Sequence, residues 1–280
     1  MPEPVADRQA HDAGGSGRSV VLVSTLERGV ALVTLNRPAT RNSLSLEMLG
    51  ELAKAFDGLG CDSTIRAIVL AATGSAFCAG HDLREITAHR TDPDAGEDFF
   101  RRTMAACCAV MQAIVACPKP VIAAVGGTAT AAGCQLVATC DLAVAAESAR
   151  FCTPGVNIGL FCSTPMVALS RNVPRKRAME MLLTGETIDA ATAAEWGLVN
   201  RIAPADRVMT EALEFARQIS ARSPLTIAVG KKAFYQQLER PLAEAYELTA
   251  RVMVENLLAK DAEEGICAFL DKRPPAWTGC

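Results

Sequence analysis

The stretch Val121–Asp141, VIAAVGGTATAAGCQLVATCD, decides the fold. It begins with a short apolar run typical of a buried strand and continues as AAGCQLVATC, which predicts a helix. Small residues join the two elements, and they let the backbone approach a ligand. The helix start also presents free N–H groups with a partial positive charge. The joint itself carries no acid or base, and Gln135 follows it.

A second segment, Phe77–Asp82, has the same character, because it follows an apolar strand predicted over Ile65–Thr73 and enters polar sequence. Two backbone N–H groups, one from each segment, would make a hole for a developing oxyanion. Alternatively, the glycines only serve tight turns. Spacing alone leaves both interpretations open.

Strands and helices alternate over roughly residues 19–160, and helices dominate afterwards. Val20–Ser24 and Val30–Leu35 are predicted to form a hairpin, and a helix is predicted to start at Leu46. The stretch GSAFCAGHDLREI is predicted to be a loop, and residues 93–117 a long helix. This alternation predicts an α/β fold with parallel strands and crossover helices. The apolar faces of the C-terminal helices must pack on their own core or on another subunit.

Composition excludes several classes of function. The 280 residues carry a net charge of −3, which argues against a nucleic-acid-binding face, although Lys231-Lys232 and Lys272-Arg273 could still meet a phosphate. Residues 1–18 lack the features of a secretory signal and are predicted to be a flexible tail. The apolar stretches are too short or interrupted for a bilayer, which takes about 20 residues. A soluble, cytoplasmic protein that binds neither nucleic acid nor membrane is predicted.

The eleven cysteines are scattered, odd in number and free of CxxC pairs, which favours a reducing, intracellular setting. No set of metal ligands is predicted. Cys134, Cys152 and Cys162 are expected to lie near the ligand pocket. A nucleophilic thiol would need a basic neighbour, and none is visible, so packing is the preferred interpretation.

Four stretches carry a resemblance: LNRPATRNSLSLEML, GSAFCAGHDLREI, KPVIAAVGGTATAAGCQLVATCDLAVAAESARF and FLDKRPPAW. Together, and in this order, they resemble the enoyl-CoA hydratase/isomerase, or crotonase, superfamily from about Val20 to the C-terminus. The run TAAGCQLVATCDLAVA, with FCTPGVNIGLFCSTPMVALSRNVPRK after it, resembles the branch called enoyl-CoA hydratase domain-containing protein 3. The resemblance implies a crotonase-like spiral of ββα units as the acyl-CoA-binding core over residues 19–205. It also implies a C-terminal helical oligomerisation region over residues 206–280, in a homotrimer or a dimer of trimers.

The resemblance also assigns a site. The superfamily holds an acyl-CoA thioester carbonyl between two backbone N–H groups, which here belong to His81 and Ala132. Coenzyme A, as part of the substrate rather than a separate cofactor, lies against the first loop. The loop residues implied in binding it, mainly through backbone atoms, are Ala79, Gly80, Asp82 and Leu83.

The chain departs from the hydratases of this superfamily at two positions. Hydration uses two glutamates, because one carboxyl can hold a proton while the other is ionised. Here Gln135 and Gly155 stand at those positions. An amide can bind water but cannot transfer a proton usefully near neutral pH. The prediction is an enoyl-CoA hydratase-like lyase or isomerase of fatty-acyl-CoA metabolism for which plain hydration is not expected. The alternative is a non-catalytic acyl-CoA-binding or regulatory protein.

Several roles stay open at this point. The His81 imidazole could transfer a proton or could be a loop histidine bonded to solvent or backbone. Asp82 could do so too, or could fix the loop by accepting backbone N–H bonds. Gln135 could bind water in the pocket or cap its helix, and space beside Gly155 could admit a small anion. The polar residues that could line the acyl end, or only satisfy loop backbone, are Asn157, Ser163 and Thr164.

Overall fold

The structure, a computed structural model, describes residues 19–280. The tail predicted over residues 1–18 lies outside the described residues. Strands and helices alternate through the first two thirds of the described chain. The strands are β1 (Val21–Thr25), β2 (Val30–Leu35), β3 (Ala67–Ala72), β4 (Ala76–Cys78), β5 (Val121–Val125), β6 (Thr128–Thr130), β7 (Leu142–Ala146), β8 (Arg150–Cys152), β9 (Ile188–Asp189) and β10 (Arg201–Ala203).

The helices dominate the C-terminal third, as the sequence predicts. They are α1 (Leu46–Cys61), α2 (Leu83–Ala88), α3 (Glu97–Ala116), α4 (Ala132–Thr139), α5 (Pro165–Asn172), α6 (Arg175–Thr184), α7 (Ala190–Glu195), α8 (Val208–Ser220), α9 (Pro224–Leu238), α10 (Leu242–Leu257) and α11 (Lys260–Leu270).

Six strands form the larger sheet, in the order β1-β2-β3-β5-β7-β10. β1 and β2 make the predicted antiparallel hairpin, and the other neighbours are parallel. The central strands β3 and β5 are buried along almost their whole length, as expected for parallel strands covered on both faces. The main core lies around these two strands.

Four shorter strands form a second sheet, in the order β4-β6-β8-β9. β4, β6 and β8 run parallel to one another, and β9 is antiparallel to β8. Along the chain, each of the three parallel strands follows a strand of the larger sheet and precedes a helix. The predicted spiral of ββα units is therefore confirmed.

The second sheet was not predicted from the sequence, and the loop expected over GSAFCAGHDLREI is wrong in part. That stretch contains β4 and the start of α2. β4, β6 and β8 have three residues each, and β9 has two. A period-2 pattern needs about four residues to be recognised, so such strands become visible only through their pairing.

Helix α1 begins at Leu46 and is capped by the residue before it. Ser45 caps this helix by accepting a hydrogen bond from the Met48 N–H at 3.2 Å. Leu49, Leu52 and Phe56 form the buried face at the helical spacing that predicts the element. The cap thus fixes the start of α1 two residues after Leu44, which forms a β-bridge with His81.

Helix α3 is long and apolar enough to cross a membrane, and it is the one such helix in the described part of the chain. Its first turns carry charged side chains, including Glu97 and Arg101. One face, with Phe99, Cys107 and Ile114, is buried, and the helix packs against α1 and α4. Length and composition alone are weak grounds for a span, because core helices share them. The predicted absence of membrane binding stays a prediction.

The C-terminal helices pack in two different ways. α8 lies against the larger sheet, with Ala212 and Ala216 fully buried. α10 and α11 instead leave large apolar side chains in solvent, with Leu242 75% and Phe269 82% exposed. The division at residues 205 and 206 and the trimer both stay predictions.

A buried ion pair attaches α9 to the core. The Lys231 ammonium donates to Asp141 Oδ2 at 2.7 Å and to the carbonyl oxygens of Ile114 and Lys119 at 2.9 and 3.1 Å. The Tyr235 hydroxyl donates to the other Asp141 oxygen at 2.9 Å. Lys231 has no donor left for a ligand, so the interpretation that it could meet a phosphate is wrong.

Candidate active site

Three loops leave the same edge of the second sheet. β4, β6 and β8 are parallel neighbours, so their carboxyl ends lie side by side, with Thr130 paired to Cys152. We call the segments that follow them the first loop (Ala79–Asp82), the second loop (Ala131–Ala132) and the third loop (Thr153–Gly155). The sequence-predicted site residues lie on these loops or directly after them, so one sheet edge brings them together.

The first two loops touch through Gly80. Gly80 has a φ of +86°, and a Cβ placed there would lie 2.9 Å from Ala131 Cβ and 3.3 Å from Ala132 N. The Thr130 hydroxyl donates to the Ala79 carbonyl at 3.0 Å. Gly133 packs so closely on the Cys78 carbonyl that any side chain there would overlap it. These glycines therefore serve close contact between two loops, beyond the tight turns that spacing alone allowed.

Two backbone N–H groups are left free where these loops meet. Leu44 N donates to Gly80 O at 2.8 Å, and Asp82 N donates to Leu44 O at 3.3 Å. These two bonds lie on either side of His81 and do not use its N–H. Ala132 is the first residue of α4, where an N–H has no intrahelical partner. Neither N–H has an acceptor among residues 19–280.

Ala131 holds a backbone conformation that suits glycine. Its φ is +50° and its ψ is −119°, although it carries a methyl group. Such a residue stores about 1–3 kcal/mol of strain and persists only where its surroundings fix it. The Ala131 N–H donates to Cys152 O at 2.9 Å, which ties the second loop to the end of β8. The strain therefore lies directly beside the free N–H of Ala132.

The His81 side chain is turned into the protein. Both of its ring nitrogens are enclosed and have no hydrogen-bond partner in the described residues. Burial lowers the pKa of His81, because the charged imidazolium is poorly solvated there. The enclosed ring contradicts the interpretation of a histidine bonded to solvent, whereas a weak contact with the Leu44 backbone leaves the backbone alternative as a prediction. A proton-transfer role stays a prediction.

Asp82 fixes the first loop. It caps α2 by accepting hydrogen bonds from Arg84 N and Glu85 N at 3.1 and 3.3 Å. The Ser43 hydroxyl donates to it at 3.1 Å, and the Arg37 guanidinium lies 3.7 Å away. The interpretation of Asp82 as a loop-fixing residue is confirmed. Leu83 begins α2 and is half exposed.

Gln135 is nearly buried, with 4% of its surface exposed. The Cys107 thiol of α3 donates to Gln135 Oε1 across 3.9 Å. The start of α4 has no side-chain cap, so the interpretation of Gln135 as a capping residue is wrong. Sequence reasoning missed Cys107, because its contact joins residues 28 positions apart and leaves no local signal.

Gly155 has no space beside it. A Cβ there would lie 2.7 Å from Leu160 O and 2.9 Å from Cys162 Sγ, and Leu160 N donates to Gly155 O at 2.9 Å. The expected room for a small anion is therefore wrong, because the chain at Leu160–Cys162 fills it. A glutamate could not occupy position 155 without moving this segment.

The cysteines near the site behave as apolar side chains. Burial raises the pKa of the Cys134, Cys152 and Cys162 thiols, so each stays protonated at neutral pH. No three metal-ligating side chains come together anywhere in residues 19–280. Of the polar residues considered for the acyl end, Asn157 and Ser163 are exposed.

Two further buried polar groups were not singled out from the sequence. Thr153, on the third loop, and Thr103, on α3, are each 1% exposed and have hydroxyls without a partner in the described residues. A surface depression of about 480 Å³ lies at the start of α3, but none of its lining residues belongs to the three loops. It is therefore separate from the candidate active site.

Comparisons with known proteins agree with the fold. The family model described as enoyl-CoA hydratase/isomerase matches residues 25–280. The enoyl-CoA hydratase domain-containing protein 3, mitochondrial, of Xenopus laevis is 47% identical over 252 residues, covering 90% of this chain and 84% of that protein.

Two solved structures also match. An enoyl-CoA hydratase from Mycobacterium smegmatis has a TM-score of 0.89 at 48% identity, covering 93% of this chain and 99% of that one. Human enoyl-CoA hydratase domain-containing protein 3 has a TM-score of 0.87 at 44% identity, covering 92% and 100%. The predicted crotonase fold and the resemblance to this branch are confirmed.

Proposed function

Since the chain belongs to the enoyl-CoA hydratase/isomerase family, we propose that it binds an acyl-CoA thioester between its first and second loops. The thioester carbonyl accepts hydrogen bonds from the backbone N–H groups of His81 and Ala132. The observation that carries this proposal is the contact of Gly80 with Ala131 and Ala132, which holds two unpaired N–H groups at one place. Preorganised donors of this kind stabilise the negative charge of an enolate or tetrahedral intermediate.

Coenzyme A lies along the first loop in this proposal. Ala79, Gly80, Asp82 and Leu83 contact it mainly through their backbone. Asp82 supports the loop through the α2 cap and does not need to touch the ligand. The protein needs no cofactor besides the coenzyme A of its substrate.

Plain hydration is not the proposed reaction. Gln135 and Gly155 stand at the positions of the two hydratase glutamates, and neither can exchange a proton near neutral pH. The most deeply buried acid among residues 19–280 is Asp261, which lies in α11 and accepts hydrogen bonds from Thr278 and Gly279 near the C-terminus. General acid–base groups contribute about 10²–10⁴-fold, so hydration should be slower by at least that factor.

A second candidate function is a non-catalytic acyl-CoA-binding or regulatory protein. The packing around Gly155 favours it, because the third loop is closed against the side chain that the second glutamate would need. An active lyase or isomerase would have to use another proton-transfer group. The candidate on the three loops is the enclosed His81 imidazole.

The proposed assembly is a homotrimer or a dimer of trimers. The apolar side chains left exposed on α10 and α11 support an oligomer. The sequence predicts a cytoplasmic location. A mitochondrial location is the alternative, because the Xenopus relative carries "mitochondrial" in its name.

One experiment tests the proposed function. Purified protein is titrated with butyryl-CoA in a calorimeter, and loss of the enoyl thioester absorbance of crotonyl-CoA is followed in parallel. The expected result is saturable binding, with hydration at least about 100-fold below that of a family hydratase measured beside it. Absence of binding would refute the acyl-CoA site, and turnover at the hydratase's rate would refute the assigned loss of acid–base chemistry.

A further inference from the structure

The Gln135 amide has a defined orientation. Burial raises the pKa of the Cys107 thiol to about 12, so the sulfur keeps its hydrogen and can donate it to Gln135. A donor selects the amide oxygen as its partner, which matches the contact to Oε1. The amide nitrogen Nε2 is therefore turned away from α3.

That nitrogen has no partner of its own. Nε2 has no acceptor among residues 19–280, and it is not one of the chain's enclosed, unpaired polar atoms. The small exposed part of Gln135 thus includes a hydrogen-bond donor. Nearly buried donors of this kind bind water or a ligand oxygen.

The geometry of α4 places this donor beside the free Ala132 N–H. Gln135 lies three residues after Ala132, a rise of about 4.5 Å along a helix. Helical side chains lean toward the N-terminus, so Gln135 covers the turn that begins at Ala132. A ligand oxygen held by the Ala132 N–H would therefore lie at the turn of α4 that the Gln135 side chain covers.

We propose that Gln135 Nε2 donates a hydrogen bond to an oxygen at C3 of the acyl group, so that the site prefers 3-oxoacyl thioesters. This inference rests on the proposed acyl-CoA site and names its substrate class. A ketone oxygen at C3 only accepts hydrogen bonds, which suits an amide N–H and disfavours a carboxylate. With glutamine in place of the hydratase glutamate, the side chain at this position binds an acyl oxygen instead of a water or a proton.

Cys107 is a positioning residue in this arrangement. Its S–H keeps Oε1 toward α3 and so keeps Nε2 toward the ligand. Without that donor the amide could rotate and present its oxygen, which would repel a C3 ketone. Serine at position 107 would retain a donor, whereas alanine would not.

The test compares two four-carbon ligands by calorimetry, acetoacetyl-CoA with its C3 ketone and butyryl-CoA without it. One buried neutral hydrogen bond predicts that the wild-type protein binds acetoacetyl-CoA about 2- to 10-fold more tightly. Gln135→Leu should bring this ratio to about 1, since leucine has a similar size but no donor. Gln135→Glu should bring the ratio below 1, because a carboxylate repels the ketone oxygen.

Matched variants separate orientation from general damage. Cys107→Ala should lower the ratio and Cys107→Ser should restore it, and thermal unfolding of each variant checks that it is folded at the assay temperature. Gln112→Leu, an exposed change on the same helix, should leave the ratio unchanged. Equal binding of the two ligands by the wild type, or a preference that survives Gln135→Leu, would overturn this inference alone. If neither ligand binds, the proposed acyl-CoA site fails and this inference fails with it.

Discussion

Gly155 gives the sharpest prediction, because the structure defines what a side chain there would meet. In Gly155→Ala the added methyl carbon would lie 2.7 Å from Leu160 O and 2.9 Å from Cys162 Sγ. The sulfur can rotate away, but the carbonyl belongs to the backbone, and its own peptide segment is bonded to Gly155 through Leu160 N. The clash can therefore be relieved only by moving the chain between these residues.

The expected cost follows from that contact. Overpacking by a single methyl group in a well-packed region costs about 1–3 kcal/mol. We expect about 2 kcal/mol here, because the closest atom is backbone. For a chain of this size each kcal/mol lowers the melting temperature by about 2–4 °C, so Gly155→Ala should melt about 4–8 °C below the wild type.

The assay is thermal unfolding beside a urea titration, with Gly58→Ala as the matched control. Gly58 lies in α1, and a Cβ there meets nothing within 4 Å. That control should gain about 0.5–1 kcal/mol, because glycine is unfavourable inside a helix. A Gly155→Ala protein as stable as the wild type would refute the closed packing. It would also show that a glutamate side chain could be accommodated at position 155.

Three further predictions concern strain and titration. Ala131→Gly should raise the free energy of unfolding by about 1 kcal/mol, measured in urea, because glycine adopts this backbone conformation without strain. The stability of the wild type should decrease as the pH falls below 6.5, because the unfolded chain then protonates His81 while burial holds its folded pKa lower, and His81→Gln should flatten this profile. Burial would raise the pKa of Asp261, but hydrogen bonds from Ser223, Thr278 and Gly279 outweigh it and lower the pKa to about 2. The stability due to this carboxylate is present above its ordinary value of 3.8 and is lost as the pH falls toward 2, so Asp261→Asn should remove that acid limb.

Each of these has a contrary outcome. An Ala131→Gly protein less stable than the wild type would mean that the surroundings, and not the methyl group, set the conformation. Parallel pH profiles for wild type and His81→Gln would contradict a buried, neutral ring. An Asp261→Asn protein with an unchanged acid transition would show that the Thr278 and Gly279 contacts do not hold that carboxylate ionised.

The sequence could predict the elements that have a local pattern. The hairpin, α1, α3 and β5 each contain a full period of apolar residues, so their positions follow from spacing alone. β4, β6 and β8 are too short for a period, and they exist because Thr130 and its neighbours pair across the second sheet. The loops at their ends were predicted, whereas the sheet edge that gathers them was not.

The candidate site divides in the same way. Free N–H groups at the start of α4 and the loop-fixing role of Asp82 follow from local rules, and sequence reasoning finds both. The orientation of the Gln135 amide and the lack of space beside Gly155 depend on contacts with Cys107 and Leu160. No local sequence pattern encodes this packing. A family name is therefore a sound guide to the fold here and a poor guide to the reaction.

The ion pair between Lys231 and Asp141 also constrains the order of events during synthesis. Asp141 lies at the start of β7, but Lys231, which balances its charge, is added 90 residues later. At about 5–20 residues per second a ribosome takes roughly 5–18 s to cover that distance. During this time the carboxylate can keep the Val121 N–H as a partner but lacks its cation. Asp141 therefore reaches its final, paired state only after α9 has been made, and a nascent chain stopped before Lys231 should leave this carboxylate without its cation.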